Sequence, residues 1–273
     1  MSIKRNIYNF ILNSYYQINP PSISWQGDYP NWDVASKKCT GYNDSIILNK
    51  VIESTNMVIA GKAAFERDGI AFDKSIINPL LLTSLFYIKK KQESSRILNI
   101  MDFGGSLGSI YFQHKRYLDL LKPLKWTIIE QEHYFNYGKN NLETKELVFH
   151  ANYNELIKNN KIDVAIFSSV LQYLENPYLI LNEIMQINVP YILIDLTPVV
   201  EGLKKKEIIT IQKIRKEMYG KPVSYPFRIF DKKNFLSIFN QTYETIIEQS
   251  SYLSGIRYKK RIKYSFYLLK NKL

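Results

Sequence analysis

The chain has 273 residues, 45% of them apolar, and its 37 basic against 25 acidic side chains leave a net charge of +12. That length suits one α/β domain with an appendage. No stretch approaches the ~20 apolar residues of a membrane-spanning helix, the single Cys39 excludes an internal disulfide, and nothing resembles a zinc site, so no metal is expected. Met1 to Tyr8 lacks the apolar run and cleavage site of a signal peptide, and the expected setting is cytoplasmic.

In chain order, Ile3, Ile7, Phe10, Ile11 and Tyr15 recur at helical spacing, and Pro20-Pro21 ends that helix. Trp25 to Trp32 reads as an aromatic loop with turn residues between its rings, which either plugs its own core or leaves Trp25 and Tyr29 as candidates to hold a sugar or a flat ring. Gly41 to Asp44 leads into a helix carrying Ile46, Ile47, Val51 and Ile52. Gly61 to Gly69 then packs Glu66, Arg67 and Asp68 between apolar neighbours; these charges lie either on the surface or toward an active site. Residues 1–90 are therefore expected to form a mainly helical cap on a second unit, 91–273.

From Ile97 the rhythm is α/β. Strand-like runs at Ile97 to Phe103, Trp126 to Glu130, Leu147 to His150, Asp163 to Ser168 and Tyr191 to Asp195 alternate with helical patterns. The helices fall at Ser109 to Leu121, His133 to Asn141, Tyr153 to Asn159 and Tyr178 to Gln186, the last with Asn176 as cap and Pro177 at its first position. Such repeats predict an open parallel sheet covered on both faces. Beyond it, Leu196-Thr197-Pro198 reads as a turn, Glu207 to Tyr219 as a helix and Tyr225 to Arg228 as extended chain. Asp231 to Phe239 reads as a short helix, and Tyr243 to Glu248 and Lys263 to Leu269 as closing strands.

Chemistry concentrates at Arg96 to Gly108, where a β-branched run drops through Asp102 into Gly104, Gly105, Ser106 and Gly108 and resumes as a helix. Strand, glycine turn and helix open a nucleotide-binding sheet: glycine permits positive φ and close approach of a ligand, and the helix start offers unpaired N–H groups. A pyrophosphate wants no carboxylate in that turn, so Asp102 points to a cationic ligand. Ligands of open parallel sheets lie at the carboxyl ends of strands. Glu130 ends the second strand and suits a ribose without choosing the cofactor. Asp195 ends the fifth and, with Glu66 and Asp68, is a candidate general base. His133 and His114 read as structural.

The spacing Asp102-x-Gly104-x-Ser106-x-Gly108, Glu130, the segment Ser168-Ser169-Val-Leu-Gln-Tyr-Leu-Glu-Asn-Pro177 and the terminal β pair resemble class I S-adenosylmethionine-dependent methyltransferases over roughly Ser95 to Leu273. Ser106 departs from the family pattern, standing where it has a glycine. The resemblance implies a Rossmann-like, mainly parallel seven-stranded sheet with a C-terminal antiparallel hairpin, and S-adenosylmethionine as cofactor. It makes Asn152 a candidate for the adenine amino group, although a plain helix cap would look the same; Ser168 and Ser169 would border the cofactor and Tyr173 the acceptor. More narrowly, Trp25 to Trp32, Gly41-Tyr42, Glu66 to Asp68, Phe103 to Ser109 and Tyr225-Pro226 are similar to a little-characterised family of bacterial methyltransferases commonly found near surface-polysaccharide genes. That implies a hydroxyl acceptor on a small molecule, sugar nucleotide or glycan precursor.

Two other functions fit parts of the pattern. An NAD-dependent sugar-nucleotide oxidoreductase or epimerase suits the sheet and Glu130, but Asp102 and the lack of a Tyr-x-x-x-Lys pair oppose it. A non-catalytic RNA-binding module would use the basic tail, where Arg257, Lys259, Lys260, Arg261, Lys263, Lys270 and Lys272 have no acid among them. The tail serves equally as an edge-strand guard. The chain also lacks the Asn/Asp/Ser-Pro-Pro-aromatic tetrapeptide of enzymes that methylate nucleic-acid amines, which disfavours a nucleic-acid substrate.

Overall fold

The computed structural model describes residues 22–41, 45–154, 156, 162–253 and 255–273. The expected first helix with its Pro20-Pro21 end, the turn at 42–44 and most of the helix expected over Tyr153 to Asn159 lie outside the described residues.

The chain opens with β1 (Ile23–Tyr29), α1 (Trp32–Ser36), α2 (Ser45–Ile59), the hairpin β2 (Phe65–Arg67) and β3 (Ile70–Phe72), and α3 (Pro79–Lys90). The α/β series follows: β4 (Leu98–Phe103), α4 (Ser109–Leu118), β5 (Leu124–Ile129), α5 (Glu132–Asn141), β6 (Leu147–His150), β7 (Val164–Ser168), α6 (Pro177–Gln186) and β8 (Tyr191–Thr197). The last part holds β9 (Val199–Val200), β10 (Glu207–Ile214), α7 (Lys216–Tyr219), β11 (Val223–Asp231) and α8 (Lys232–Ser237). It closes with β12 (Tyr243–Ser250), β13 (Ile256–Tyr258), β14 (Lys260–Ile262) and β15 (Ser265–Asn271).

The large sheet has seven strands in the order β12-β15-β8-β7-β4-β5-β6. β8, β7, β4, β5 and β6 are parallel, and β15 and β12 add an antiparallel hairpin at one edge. This is the expected Rossmann-like sheet. Its strands are buried on both faces, as parallel strands require. Leu98 and Ile100 of β4, Val164 and Ile166 of β7 and Leu193 of β8 enter one core with α3 and α4. Their neighbours Met101, Ala165, Phe167, Ile192 and Ile194 enter the other. Fully burying each such aliphatic side chain contributes roughly 1.5–3 kcal/mol. The chain runs outward from β4 through β5 to β6, then returns to β7 on the other side of β4. That reversal opens a crevice at the carboxyl ends of the strands.

The second sheet corrects the sequence reading. It has four strands in the order β1-β10-β11-β9. Residues Glu207 to Ile214, expected as the start of a helix, are β10, and only Lys216–Tyr219 is helical. Ile208, Ile211 and Ile214 do recur near a helical period, but Ile208, Ile209, Thr210, Ile211 and Ile214 are all β-branched and favour a pleated surface. β11 runs antiparallel along the full length of β10, from Glu207 opposite Phe230 to Ile214 opposite Val223. Trp25 to Tyr29, expected as a loop, belongs to β1 on the other edge of β10. Its register shifts between Gln26 and Tyr29, where Gly27 takes a positive φ of 83°. The N-terminal segment thus completes a sheet whose other strands come from after residue 198. Leu196 and Thr197, expected in a turn, continue β8, with Leu196 kinked at φ 50°.

Candidate functional site

A cavity of about 760 Å³ opens at the carboxyl ends of β4, β5, β6 and β7. Its floor is the turn after β4. Gly104 has φ +72°, and a Cβ there would sit 2.4 Å from Val170 Cγ2. A Cβ on Gly105 would meet Asp102 Oδ2 at 2.6 Å. Both positions therefore exclude side chains, and a ligand can approach bare backbone. Ser106 takes a left-handed conformation, at φ 55°, and its N–H donates to Glu130 Oε1 at 3.1 Å. The other Glu130 oxygen accepts from Gln131 N–H at 2.8 Å. Two amides aim this carboxylate at the cavity, and burial pushes its pKa up against them.

The β2–β3 hairpin supplies the opposite wall. Glu66, in β2, is buried; it accepts from Ser109 Oγ, from Ser54 Oγ at 3.4 Å and from Gly69 N–H at 3.3 Å. Burial pushes its pKa up to about 7, the Ser109 bond pulling back and Asp68 pushing further. Asp68 occupies the hairpin turn at φ 51°. It is exposed, but into the cavity, where surrounding protein raises its pKa and Arg67 opposes that rise. No described residue hydrogen-bonds its carboxylate. Arg67 donates to Tyr252 Oη, tying the hairpin to the C-terminal segment. From the second sheet come Gln212, Ile214 and Tyr225. Tyr173 donates to Gln212 Oε1 at 2.8 Å and packs edge-on against Tyr225 with centroids 5.6 Å apart.

Of the residues expected from sequence, Gly104, Gly105, Ser106, Glu130, Asn152, Ser168, Ser169, Tyr173, Glu66 and Asp68 line this cavity. Asn152 is exposed and accepts from Asn154 N–H at 2.6 Å, the cap geometry foreseen for it. Five expected residues lie elsewhere. Asp102 is 1% exposed and sits beneath Gly105 on the face of β4 that carries Ile100, with Oδ2 accepting from Trp126 Nε1 at 3.0 Å. Its Oδ1 has no partner among the described residues, and burial pushes its pKa up to about 7; it supports the turn instead of lining the cavity. Gly108 caps α4 at φ 94°, where a Cβ would sit 3.1 Å from Phe112 Cε2. Asp195 is buried between Ser251 Oγ and Asn78 Nδ2, the latter at 2.7 Å, so it pins α3 to the sheet and cannot face an acceptor. Trp25 packs on Phe227 with centroids 5.7 Å apart, and Tyr29 lines a separate cavity.

Sequence reasoning missed Trp32, Gln113, Gln131, Gln212, Met218 and Tyr225 as lining residues. Gln131 was readable from its place beside Glu130. Gln212 was hidden by the helical reading of β10. Among the described residues, no group of His, Cys, Asp and Glu is placed to hold a metal ion, and no helix is long and apolar enough to cross a membrane.

No protein-family model and no curated protein matches the chain. Among solved structures it is similar to a SAM-dependent methyltransferase from Methanosarcina mazei, at 14% identity and TM-score 0.45, over 68% of this chain and 97% of that one. A SAM-dependent methyltransferase from Aquifex aeolicus aligns at 15% identity and TM-score 0.42, over 69% and 89% of the two chains. Human N-acetylserotonin methyltransferase in complex with SAM aligns at 13% and 0.40, over 69% and 51%. Likenesses this distant carry no function, and the chemistry is read from the residues around the cavity.

Proposed function

We propose that the chain transfers a methyl group from S-adenosylmethionine to a hydroxyl of a small molecule, sugar nucleotide or surface-glycan precursor. The observation that supports this reading is the charge around the cavity. Glu66, Asp68 and Glu130 line it, and Arg67 is the only basic side chain among the described lining residues. A cofactor bearing a sulfonium and an ammonium suits three carboxylates; a dinucleotide pyrophosphate does not. The volume is within the range of ligand pockets that close around a drug-sized molecule, about 300–1,000 Å³. A cytoplasmic setting goes with this reading.

Gly104 to Ser106 would take the cofactor against bare backbone. Glu130 would accept from the ribose hydroxyls with the lone pairs its two amide donors leave free. Asn152 would face the adenine, and Ser168 and Ser169 the remainder. The cofactor supplies an already activated methyl group. What the chain adds is in-line placement of the acceptor and removal of its proton. Asp68 is the better base: no donor among the described residues holds its carboxylate, it opens to the cavity, and its raised pKa brings it nearer the operating pH. Glu66 is committed to three donors, and its part is to hold the hairpin against the start of α4.

The test is cofactor-dependent stabilisation. S-adenosylhomocysteine at about 100 times its Kd should stabilise the fold by about 2.7 kcal/mol, seen as a rise in Tm, whereas NAD should leave Tm unchanged. A rise with NAD alone, or with neither, overturns the reading.

A further inference from the structure

The lining of the main cavity has two origins. The glycine turn, Glu130, Asn152, Ser168 and Ser169 stand at the strand ends, where the methyl-transfer reading seats the cofactor. Ile23, Trp32, Ile214, Met218, Tyr225 and Pro226 come instead from β1, α1, β10, α7 and β11. They present apolar and aromatic side chains. Gln212 adds an amide, but it is 5% exposed and its Oε1 already accepts from the Tyr173 hydroxyl. The rings are held in place: Tyr225 meets Tyr173 edge-on, and Trp32 carries the Arg228 guanidinium 5.0 Å from its centroid. The turn of the β2–β3 hairpin abuts this group, since Tyr219, beside Met218, donates to Asp68 O at 3.0 Å. A largely apolar wall thus adjoins a carboxylate that no described residue holds.

Such a wall discriminates among hydroxyl acceptors. A sugar ring brings several hydroxyls, and each one buried without a partner costs free energy. Beyond Gln212, the Tyr225 hydroxyl and the Trp32 indole N–H, these residues offer no polar side-chain group. A sugar nucleotide adds a diphosphate. The described lining answers it with Arg67 alone, which donates to Tyr252, against Glu66, Asp68 and Glu130. A neutral aromatic ring meets neither cost, and it suits the rings of Trp32 and Tyr225 and the thioether of Met218. Acidity points the same way. An aromatic hydroxyl releases its proton near about pH 10, as the tyrosine side chain does, whereas a sugar or aliphatic hydroxyl is a far weaker acid. A carboxylate base serves the first more readily. We propose that the acceptor is a neutral aromatic hydroxyl compound, its ring against Trp32, Met218 and Tyr225 and its hydroxyl at Asp68. As its oxygen takes the methyl group, its proton passes to the Asp68 carboxylate, and the electron pair of the broken carbon–sulfur bond stays on sulfur. The products are an aryl methyl ether and S-adenosylhomocysteine.

The reaction rests on the methyl-transfer reading, whereas binding of the ring rests on this wall alone. The probes are para-cresol, β-naphthol and umbelliferone, set against methyl glucoside, UDP-glucose and cyclohexylmethanol, each followed by saturation-transfer NMR with S-adenosylhomocysteine present. At least one phenol should bind with a Kd below about 1 mM, and each of the other three more weakly. Trp32→Ala and Met218→Ala should each weaken the phenol about tenfold, and Trp32→Phe should restore most of the affinity. Met218 is partly exposed on the short α7, so its variant should fold even if Trp32→Ala does not. No phenol bound, methyl glucoside or UDP-glucose bound more tightly than any phenol, or an unchanged Kd in Met218→Ala overturns the assignment. S-adenosylhomocysteine melting curves run beside these separate the two readings. A Tm rise without phenol binding removes only the aromatic acceptor. Phenol binding weakened in Met218→Ala without a Tm rise upholds the aromatic site but removes methyl transfer, and with it the acceptor's role.

Discussion

The mouth of the parallel sheet and the four-stranded sheet that faces it share one cavity but are built by different means. At the mouth, geometry comes from backbone: a glycine turn, two amides aiming Glu130, and strand ends in fixed register. On the facing side, it comes from side chains that residues distant in the chain bring together, such as Tyr173 with Gln212 of β10. On the methyl-transfer reading, the backbone-built wall would hold the cofactor and the side-chain-built wall the acceptor. On that division, substitutions at the mouth should abolish cofactor binding, whereas those on the facing side should change turnover or acceptor affinity and spare the cofactor.

The largest effect is expected at the mouth. Gly104→Val would place a β-branched side chain at φ +72° and a Cβ 2.4 Å from Val170 Cγ2. Backbone strain and overlap together should cost on the order of 4 kcal/mol. Denaturant unfolding should show that loss, and S-adenosylhomocysteine should no longer shift Tm. A stable variant that still binds it would mean the turn is not the cofactor's floor. Next comes Asp68→Asn. Loss of a general base should lower kcat about 10²–10⁴-fold with the cofactor's Kd unchanged; a fall in cofactor affinity with kcat intact would move Asp68 from chemistry to charge balance. Glu66→Gln is the contrast, since it should loosen the hairpin and cost stability before rate.

The same division explains what the sequence revealed. β6 falls at Leu147–His150 as the pattern predicts, β4 within a residue of its expected start, and Pro177 at the first position of α6. These features are local: apolar runs, glycines and caps that neighbouring residues determine. Glu130 was legible because strand-end residues face the ligand in any open parallel sheet. Asp102 was misread through ignoring that same period: alternation from Ile100 puts it on the core face, under Trp126. Asp195 repeats the lesson from Leu193, but its partners Asn78 and Ser251 lie 117 and 56 residues away and leave no local trace. β10 was lost because four isoleucines in eight residues satisfy a helical and an extended period alike, and only pairing with β1 and β11 decides between them.

Acid titration sharpens the picture of the mouth. Asp102 is raised from 3.8 to about 7 and Glu66 from 4.5 to about 7, each chiefly by burial. The folded protein therefore keeps protons that the unfolded chain has released. Stability should fall as pH rises through the window from about 4 to about 7, and level off above it. Asp102→Asn removes one of these groups, so the difference in unfolding free energy between variant and wild type should grow across that window by roughly 2–4 kcal/mol. Surface carboxylates slope the other way, but they are common to both proteins and cancel. A flat difference would mean that Asp102 stays ionised in the fold.

Tyr173→Phe carries the smallest effect and tests the join between the two regions. The hydroxyl donates to Gln212 Oε1 at 2.8 Å, linking the loop after β7 to the middle of β10. Gln212 is buried, so removing the donor leaves its amide oxygen unsatisfied, at roughly 1–2 kcal/mol. The ring itself remains, and with it the edge contacts to Tyr225 and Phe227. Stability should thus drop modestly while the cavity keeps its shape. If the facing wall serves only the acceptor, the Kd for S-adenosylhomocysteine should match wild type and the acceptor's KM alone should rise. An equal weakening of both would show that this wall and the glycine turn respond together, because Tyr173 follows Ser168 and Ser169 by only a few residues and could transmit the disturbance along the backbone.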